Sequence, residues 1–163
     1  MTVSALPYRP HNHAACVQEA LTGARDICQA RNVRLTPTRE RVLELIWQSH
    51  KPLGAYDLLA LLGDEGYNAA PPTVYRALDF LQQNGLVHRI ASLNAFVGCN
   101  RAGKNHNSLF LICRSCRNVL ELTAPEVSRT IEEVSKAEGF VAEETGVEIT
   151  GLCPACKKAP GNE

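Results

Sequence analysis

Apolar residues recur every three or four positions through the first half of the chain, which is the spacing of helices that bury one face. This period runs through four segments, at residues 14–31, 37–50, 55–63 and 71–84. Thr36 and Pro37 suit the start of the second segment, because threonine caps a helix and proline fits its first turn. Pro71 and Gly85 bound the fourth segment in the same way. The pattern therefore predicts four consecutive helices.

The fourth predicted helix is followed by two short runs, LVHRIAS and NAFVGC, on either side of a turn. They predict a β-hairpin, and helices followed by a hairpin are the order of a winged helix-turn-helix. The fourth helix turns Thr73, Tyr75, Arg76 and Asp79 away from its apolar stripe. Polar side chains in its first turns would meet phosphates and base edges, but any amphipathic helix has a polar outer face. The pattern leaves both interpretations open.

The second half of the chain changes to strand periods. SLFLIC and NVLEL predict two strands around the tripeptide RSC, a helix follows near residues 127–137, and GFVAEE and GVEITGLC predict two more strands. The whole chain is thus expected to be α+β, with the polar loop NRAGKNHN at its domain boundary. We expect a winged-helix DNA-binding domain, a hinge loop and a small α/β domain, at residues 1–100 (with 1–13 a flexible tail), 101–107 and 108–163.

Charge is balanced over the chain, with 17 Lys and Arg against 17 Asp and Glu among 163 residues. This excludes a general basic field that would bind any nucleic acid. Locally, Arg31, Arg34, Arg39 and Arg41 face only Glu40 between residues 31 and 41. This cluster fits a solvated helix end. It also makes Arg31, Arg34 and Arg39 candidates to neutralise DNA phosphates.

The chain offers no long apolar run and no signal-peptide pattern at its start, so we expect a cytoplasmic protein without membrane association. Seven cysteines in a reducing compartment favour metal binding or core packing over disulfides. Cys28 lies on the apolar face of the first helix and is expected to pack in the core. We find no Gly-rich phosphate loop or nucleophile constellation, so an enzyme is not expected.

Two cysteine pairs, Cys113 with Cys116 and Cys153 with Cys156, each have two residues between the thiols. This spacing lets both sulfurs converge on one ion, and four thiolates complete a tetrahedral zinc site. The pairs are separated by 36 residues, so the fold must bring them together. A redox-active pair is the alternative, but it would open a helix in a βαβ unit, whereas each pair here is expected to end a strand. The spacing predicts structural zinc.

A second group of potential ligands surrounds the domain boundary. His88 and Cys99 lie on the paired strands of the hairpin, and His106 and Glu121 follow at positions that could fold back toward them. Spacing alone does not decide between a metal site and ordinary hydrogen-bonded surface residues.

Several longer motifs are specific to one family. LTPTRERVLELI, AYDLLALL, PPTVYRALDFLQQNGLVHRI, ICRSC and GLCPAC resemble the ferric uptake regulator superfamily, and most closely its zinc-responsive branch. The resemblance extends from about residue 17 to Cys156. It implies a homodimeric, metal-activated repressor whose C-terminal domain dimerises and whose metal-loaded form binds pseudo-palindromic double-stranded DNA operators.

The resemblance also implies roles for individual residues and two zinc ions per chain. The structural ion would be held by Cys113, Cys116, Cys153 and Cys156. The regulatory ion would be held by His88, Cys99, His106 and Glu121. The base-reading residues would be Tyr56 and Arg76, and the phosphate contacts Thr73 and Tyr75.

One departure from the iron-responsive branch bears on the metal. The His-rich stretch that precedes the first cysteine pair there is only GKNHNS here, and Cys99 adds a soft donor that favours zinc over iron or manganese. Three alternatives stay open: another metal or peroxide sensor of the superfamily, a thiol oxidoreductase, and a zinc-ribbon interaction module without DNA affinity.

Overall fold

The computed structural model describes residues 12–49, 51–104, 106–143 and 145–158. These residues form two compact units that divide between residues 104 and 106. That residues 101–107 act as a hinge stays a prediction. Of the expected flexible tail, residues 1–11 lie outside the described residues, while Asn12 caps the first helix and His13 begins it.

The first unit contains four helices, α1 (His13–Ala30), α2 (Pro37–Gln48), α3 (Ala55–Asp64) and α4 (Pro71–Gln83). As predicted, the Thr36 side chain caps α2 by accepting a hydrogen bond from the Arg39 N–H at 3.4 Å. Gly85 follows α4 with a φ of +67°, the left-handed conformation that commonly ends a helix. The buried residues of all four helices form one core, which includes Cys28 at 2% exposure.

A β-hairpin completes the first unit, with β1 (Val87–Ile90) antiparallel to β2 (Ala95–Gly98). The loop between α2 and α3 pairs with the hairpin through Leu53, whose N–H donates to the Phe96 carbonyl at 3.1 Å and whose carbonyl accepts from the Phe96 N–H at 2.8 Å. These bonds attach the hairpin to the helices. The order of helices and hairpin confirms the predicted winged helix-turn-helix.

The second unit is a three-stranded sheet with one crossover helix. Its elements are β3 (Ser108–Cys113), β4 (Val119–Leu122), α5 (Pro125–Ala137), β5 (Gly146–Gly151) and the short helix α6 (Pro154–Lys157). The strand order is β4-β3-β5, with β4 antiparallel and β5 parallel to β3. The parallel pair requires the crossover that α5 supplies. The predicted α+β class is therefore confirmed.

The strand predicted at GFVAEE is wrong for its described residues, 139–143, which form no strand. The C-terminus of α5 uses this segment instead. The Gly139 N–H donates to the Lys136 carbonyl at 3.0 Å, and the Phe140 N–H donates to the Ser135 carbonyl at 2.8 Å. Phe140 and Val141 are 65% and 81% exposed. The strand propensity of this segment has no effect here because the backbone of Gly139 and Phe140 caps the helix.

Candidate metal centres and DNA-binding surface

The four cysteines of the two pairs converge in the second unit. The sulfurs of Cys113, Cys116, Cys153 and Cys156 all lie within 4.8 Å of one another. The Cys116 and Cys153 sulfurs are 3.8 Å apart. A zinc ion with four sulfurs at about 2.3 Å has tetrahedron edges of about 3.8 Å, so the cluster has the dimensions of a zinc site.

The parallel pairing of β3 with β5 brings the two cysteine pairs together. Cys113 ends β3 opposite Gly151, and the Arg114 N–H donates to the Gly151 carbonyl at 2.9 Å. Cys153 follows two residues later as the N-cap of α6. The first pair therefore ends a strand, as expected, whereas the second opens a short helix.

The burial of the cluster, rather than its thiol pKa values, favours a metal ion over redox chemistry. Burial raises the pKa of Cys113, but the N–H groups of Cys116, Cys153 and Ser115 outweigh burial and lower its pKa to about 6. Burial raises the pKa of Cys116 to about 12, helped by hydrogen bonds with the neighbouring sulfurs. Four thiolates can thus coexist only around a cation, which displaces the protons. The low-pKa sulfur belongs to a residue that is 1% exposed, so a disulfide substrate would not reach it.

A second pair of potential ligands lies elsewhere in this unit. The His106 Nε2 and Glu121 Oε1 atoms are 2.8 Å apart, with the two side chains 9% and 5% exposed. The Ser108 hydroxyl donates to the same Glu121 oxygen at 2.8 Å. Sequence reasoning missed Ser108. A serine two positions before Phe110, the strand partner of Glu121, was the available signal.

The first unit holds a further pair of donors on its hairpin. His88 is paired with Val97, and Cys99 lies two residues beyond Val97, so His88 and Cys99 share one face. Their donor atoms lie within 4.8 Å of each other. Cys99 is held in register by its N–H, which donates to the Leu86 carbonyl at 3.0 Å. Each unit therefore positions two of the four predicted regulatory ligands.

The predicted DNA contacts lie on α3 and α4. Tyr56 on α3 is 72% exposed, and Tyr75 in the second turn of α4 is 45% exposed. Arg76 is exposed and Thr73 is half-buried, while the apolar stripe of α4 faces the core. This arrangement leaves the first two turns of α4 accessible to a duplex.

The three arginines predicted to neutralise phosphates have different surroundings. Arg31 donates to the Asn84 carbonyl at 2.9 Å. Arg39 lies 3.8 Å from the centroid of the Phe80 ring and donates to the Arg34 carbonyl at 2.7 Å. Arg34 is exposed, and its guanidinium has no hydrogen bond or ion pair with the described part of the chain. Only Arg34 is thus fully available to a phosphate.

The sequence model of the Ferric uptake regulator family matches residues 30–150 of this chain. The chain belongs to the ferric uptake regulator family. The Zinc uptake regulation protein of Escherichia coli (strain K12) is 43% identical over 140 residues, covering 85% of this chain and 82% of that protein. The resemblance inferred from the motifs is therefore confirmed.

Two solved structures of family members agree with this assignment. A zinc uptake regulator complexed with zinc and DNA matches with a TM-score of 0.84 at 42% identity, covering 87% of this chain and 95% of that one. The crystal structure of holo XcZur matches with a TM-score of 0.81 at 42% identity, covering 86% and 99%. Among the described residues, no helix is both long and apolar enough to cross a membrane.

Proposed function

We propose that the protein is a zinc-responsive transcriptional repressor that binds operator DNA as a homodimer. The observation that carries the proposal is the combination, in one family member, of an exposed winged-helix face, a complete four-sulfur cluster and a donor pair on each unit. The similarity to a zinc uptake regulator complexed with zinc and DNA supports it.

The four-sulfur cluster is the structural zinc site of this proposal. Four thiolates around Zn(II) leave a net charge of −2, and they leave no open coordination position. Such sites contribute on the order of 10 kcal/mol to folding, which suits a unit with one three-stranded sheet. This zinc is retained in every functional state of the protein.

The regulatory ion is held in this proposal by His88 and Cys99 together with His106 and Glu121. One thiolate and one carboxylate balance the charge of the ion, and this neutral site exchanges its metal more readily than the thiolate cluster. The ligands come from both units, so the bound ion joins the unit that reads DNA to the unit that dimerises. Cys99 is the soft donor that favours zinc over iron or manganese.

Zinc acts in this mechanism by shifting a conformational population. Two recognition helices of a dimer must lie about 34–36 Å apart to enter successive major grooves. An ion that binds this arrangement about 5.5 kcal/mol better than the open one moves the balance from 1:99 to 99:1. One coordination site can supply that difference.

Homodimer formation is supported by apolar side chains exposed on the second unit. Single exposed apolar residues are ordinary, whereas a contiguous patch is typical of an interaction surface, and Val127 and Val134 lie seven residues apart on one face of α5. Those exposed are Val127, Val134, Phe140, Val141 and Ile149.

DNA recognition is assigned to the exposed parts of α3 and α4. Arg76 can donate two hydrogen bonds to a guanine edge, a contact worth about 1–3 kcal/mol of discrimination. Tyr56 adds a base contact, and Thr73, Tyr75 and Arg34 bind phosphates.

The test is duplex binding during a titration of free zinc, with the zinc content per chain measured in parallel. We expect one zinc to resist chelation, a second to titrate, and operator binding to follow the second. Folded protein that retains one zinc and binds its operator equally well without the second would overturn the proposal. If iron(II), manganese(II) or nickel(II) restored operator binding after chelation and zinc did not, the protein would instead be another metal sensor of the family.

A further inference from the structure

Helix α4 carries a stripe that joins its DNA-facing start to its C-terminus. Arg76 and Phe80 are four residues apart and lie on one side of the helix in successive turns, and Asn84, the C-cap residue, follows four residues after Phe80. Arg76 is exposed, whereas Phe80 is half-buried and Asn84 is 9% exposed. Contacts to Phe80 and Asn84 therefore bear on the direction of Arg76.

Arg39 holds this stripe at Phe80. Its guanidinium lies 3.8 Å from the ring centroid, well inside the range of cation–π attraction. It also donates to the Arg34 carbonyl at 2.7 Å, which ties the stacked group to the segment between α1 and α2. The contact thus joins α4 to a fixed point of the neighbouring backbone.

Arg31 holds the stripe one turn further along. It donates to the Asn84 carbonyl at 2.9 Å, while the Asn84 amide donates to the Phe80 carbonyl at 2.9 Å. A cation is favourable at this position because the last carbonyls of a helix carry partial negative charge. Arg31, which follows α1, and Arg39, in the first turn of α2, therefore bind α4 at its C-cap and at Phe80 one turn earlier.

Two attachment points on one stripe restrict rotation of the helix about its axis. At a radius of about 6 Å, a rotation of 20° would displace a side-chain atom by about 2 Å. Hydrogen bonds to a base edge tolerate only a few tenths of an ångström. A small rotation of α4 would therefore remove the bidentate contact of Arg76.

We infer that Arg31 and Arg39 are positioning residues, which set the rotation of α4 and so the direction of Arg76, and that they do not contribute phosphate contacts. This inference rests on the proposed function, since it concerns how operator DNA is recognised.

The test compares the salt dependence of binding for arginine variants. The probe is a duplex of about 30 base pairs selected by the zinc-loaded wild type from a random pool, with a scrambled duplex of the same composition. Affinities of zinc-loaded, full-length protein are measured for both duplexes over a range of salt. Arg39→Met is compared with Arg34→Met, which removes the same charge from a neighbouring exposed position.

The two variants should behave differently. Each phosphate contact contributes about 0.9 to the slope of log K against log salt. We expect Arg34→Met to lower the slope by about 0.9 and to weaken both duplexes. Arg39→Met should weaken only the selected duplex, by about 5- to 30-fold if part of one bidentate base contact is lost, and keep the wild-type slope. Arg31→Met should resemble Arg39→Met.

A second variant tests whether Arg39 acts through the Phe80 ring, and it does so without changing the charge of the protein. Phe80→Leu should reproduce the loss of sequence preference, and Arg39→Met in the Phe80→Leu background should add little. Arg39→Lys should remain impaired, because an ammonium replaces a guanidinium at a phosphate but not in a stacked, hydrogen-bonded position.

Several results would overturn the inference. The first is a slope of log K against log salt that is about 0.9 lower in Arg39→Met than in the wild type. The others are wild-type affinity of Arg39→Lys for the selected duplex, or wild-type affinity of Phe80→Leu for it. Equal loss on both duplexes with a reduced fraction of active protein would show a folding role. Failure of the proposed function is distinct, since the wild type would then select no duplex or bind it without zinc.

Discussion

The packing of Trp47 against Gly98 allows a quantitative prediction about the β-hairpin, which is the wing of the winged helix-turn-helix. Trp47, on α2, is the only tryptophan of the chain, and Gly98 ends β2 immediately before Cys99. A Cβ atom added at Gly98 would lie 2.5 Å from the indole Nε1 and 2.8 Å from Cδ2. Ordinary contacts between such atoms begin near 3.5 Å, so the ring would have to retreat by about 1 Å.

Gly98→Ala therefore overpacks the junction of helix and wing. Inserting one methyl group into a packed site costs about 1–3 kcal/mol. With a typical urea dependence of about 1–3 kcal/mol per molar for a domain of this size, the midpoint of unfolding should fall by roughly 1 M. Because the strand leads directly into Cys99, the affinity of the exchangeable zinc site should fall as well.

The assay is urea unfolding of the full-length protein, followed by the fluorescence of Trp47, which reports the first unit. Gly63→Ala is the matched control, since an added Cβ there has no atom within 4 Å and the residue is in α3. The free energy of unfolding of the control should rise by about 0.5–1 kcal/mol, because alanine is favoured over glycine inside a helix. An unchanged emission spectrum and an unchanged midpoint in Gly98→Ala would refute the packing argument.

Three further predictions concern DNA, zinc and acid. Arg76→Ala should lose preference for the operator over a scrambled duplex by about 1–3 kcal/mol at unchanged zinc content, and normal operator binding would show that the base contact is misassigned. Cys99→Ser should leave a folded dimer whose DNA binding no longer responds to zinc, whereas Cys113→Ser should lose its fold or its ability to dimerise. Sedimentation and zinc analysis measure both properties. Equal unfolding of the two variants would contradict separate roles for the two sites. Hydrogen bonds from Arg41 hold the pKa of the Glu65 carboxyl below its ordinary value. The ionised carboxylate therefore stabilises the fold at pH values above the pKa that Glu65 has in the unfolded chain. This contribution is lost as the pH falls through the pKa that Glu65 has in the folded protein. Glu65→Gln should therefore flatten the decrease in urea midpoint below about pH 4.3, and a decrease as steep as in the wild type would count against the ion pair.

Features that depend on neighbouring residues could be predicted from the sequence. The start of α2 at Thr36 and Pro37 and the buried stripe of α4 follow from capping and from the helical period, which are local. The spacing within each cysteine pair likewise predicted that its two sulfurs lie close together, while their binding of zinc stays a prediction. The strand expected at GFVAEE failed because the same backbone groups were needed to cap α5, a competition that propensity does not register.

Features that depend on residues far apart in the chain required the tertiary structure. The register that places Cys113 opposite Gly151 decides that the two thiol pairs meet, and no local pattern encodes that register. The same holds for the hydrogen bond from Ser108 to Glu121. Likewise, the sequence determined that Arg31 and Arg39 are positively charged. Only the packing of α4 decided that one binds a helix carbonyl and the other an aromatic ring, because a flexible cation takes the partner that the fold brings within reach.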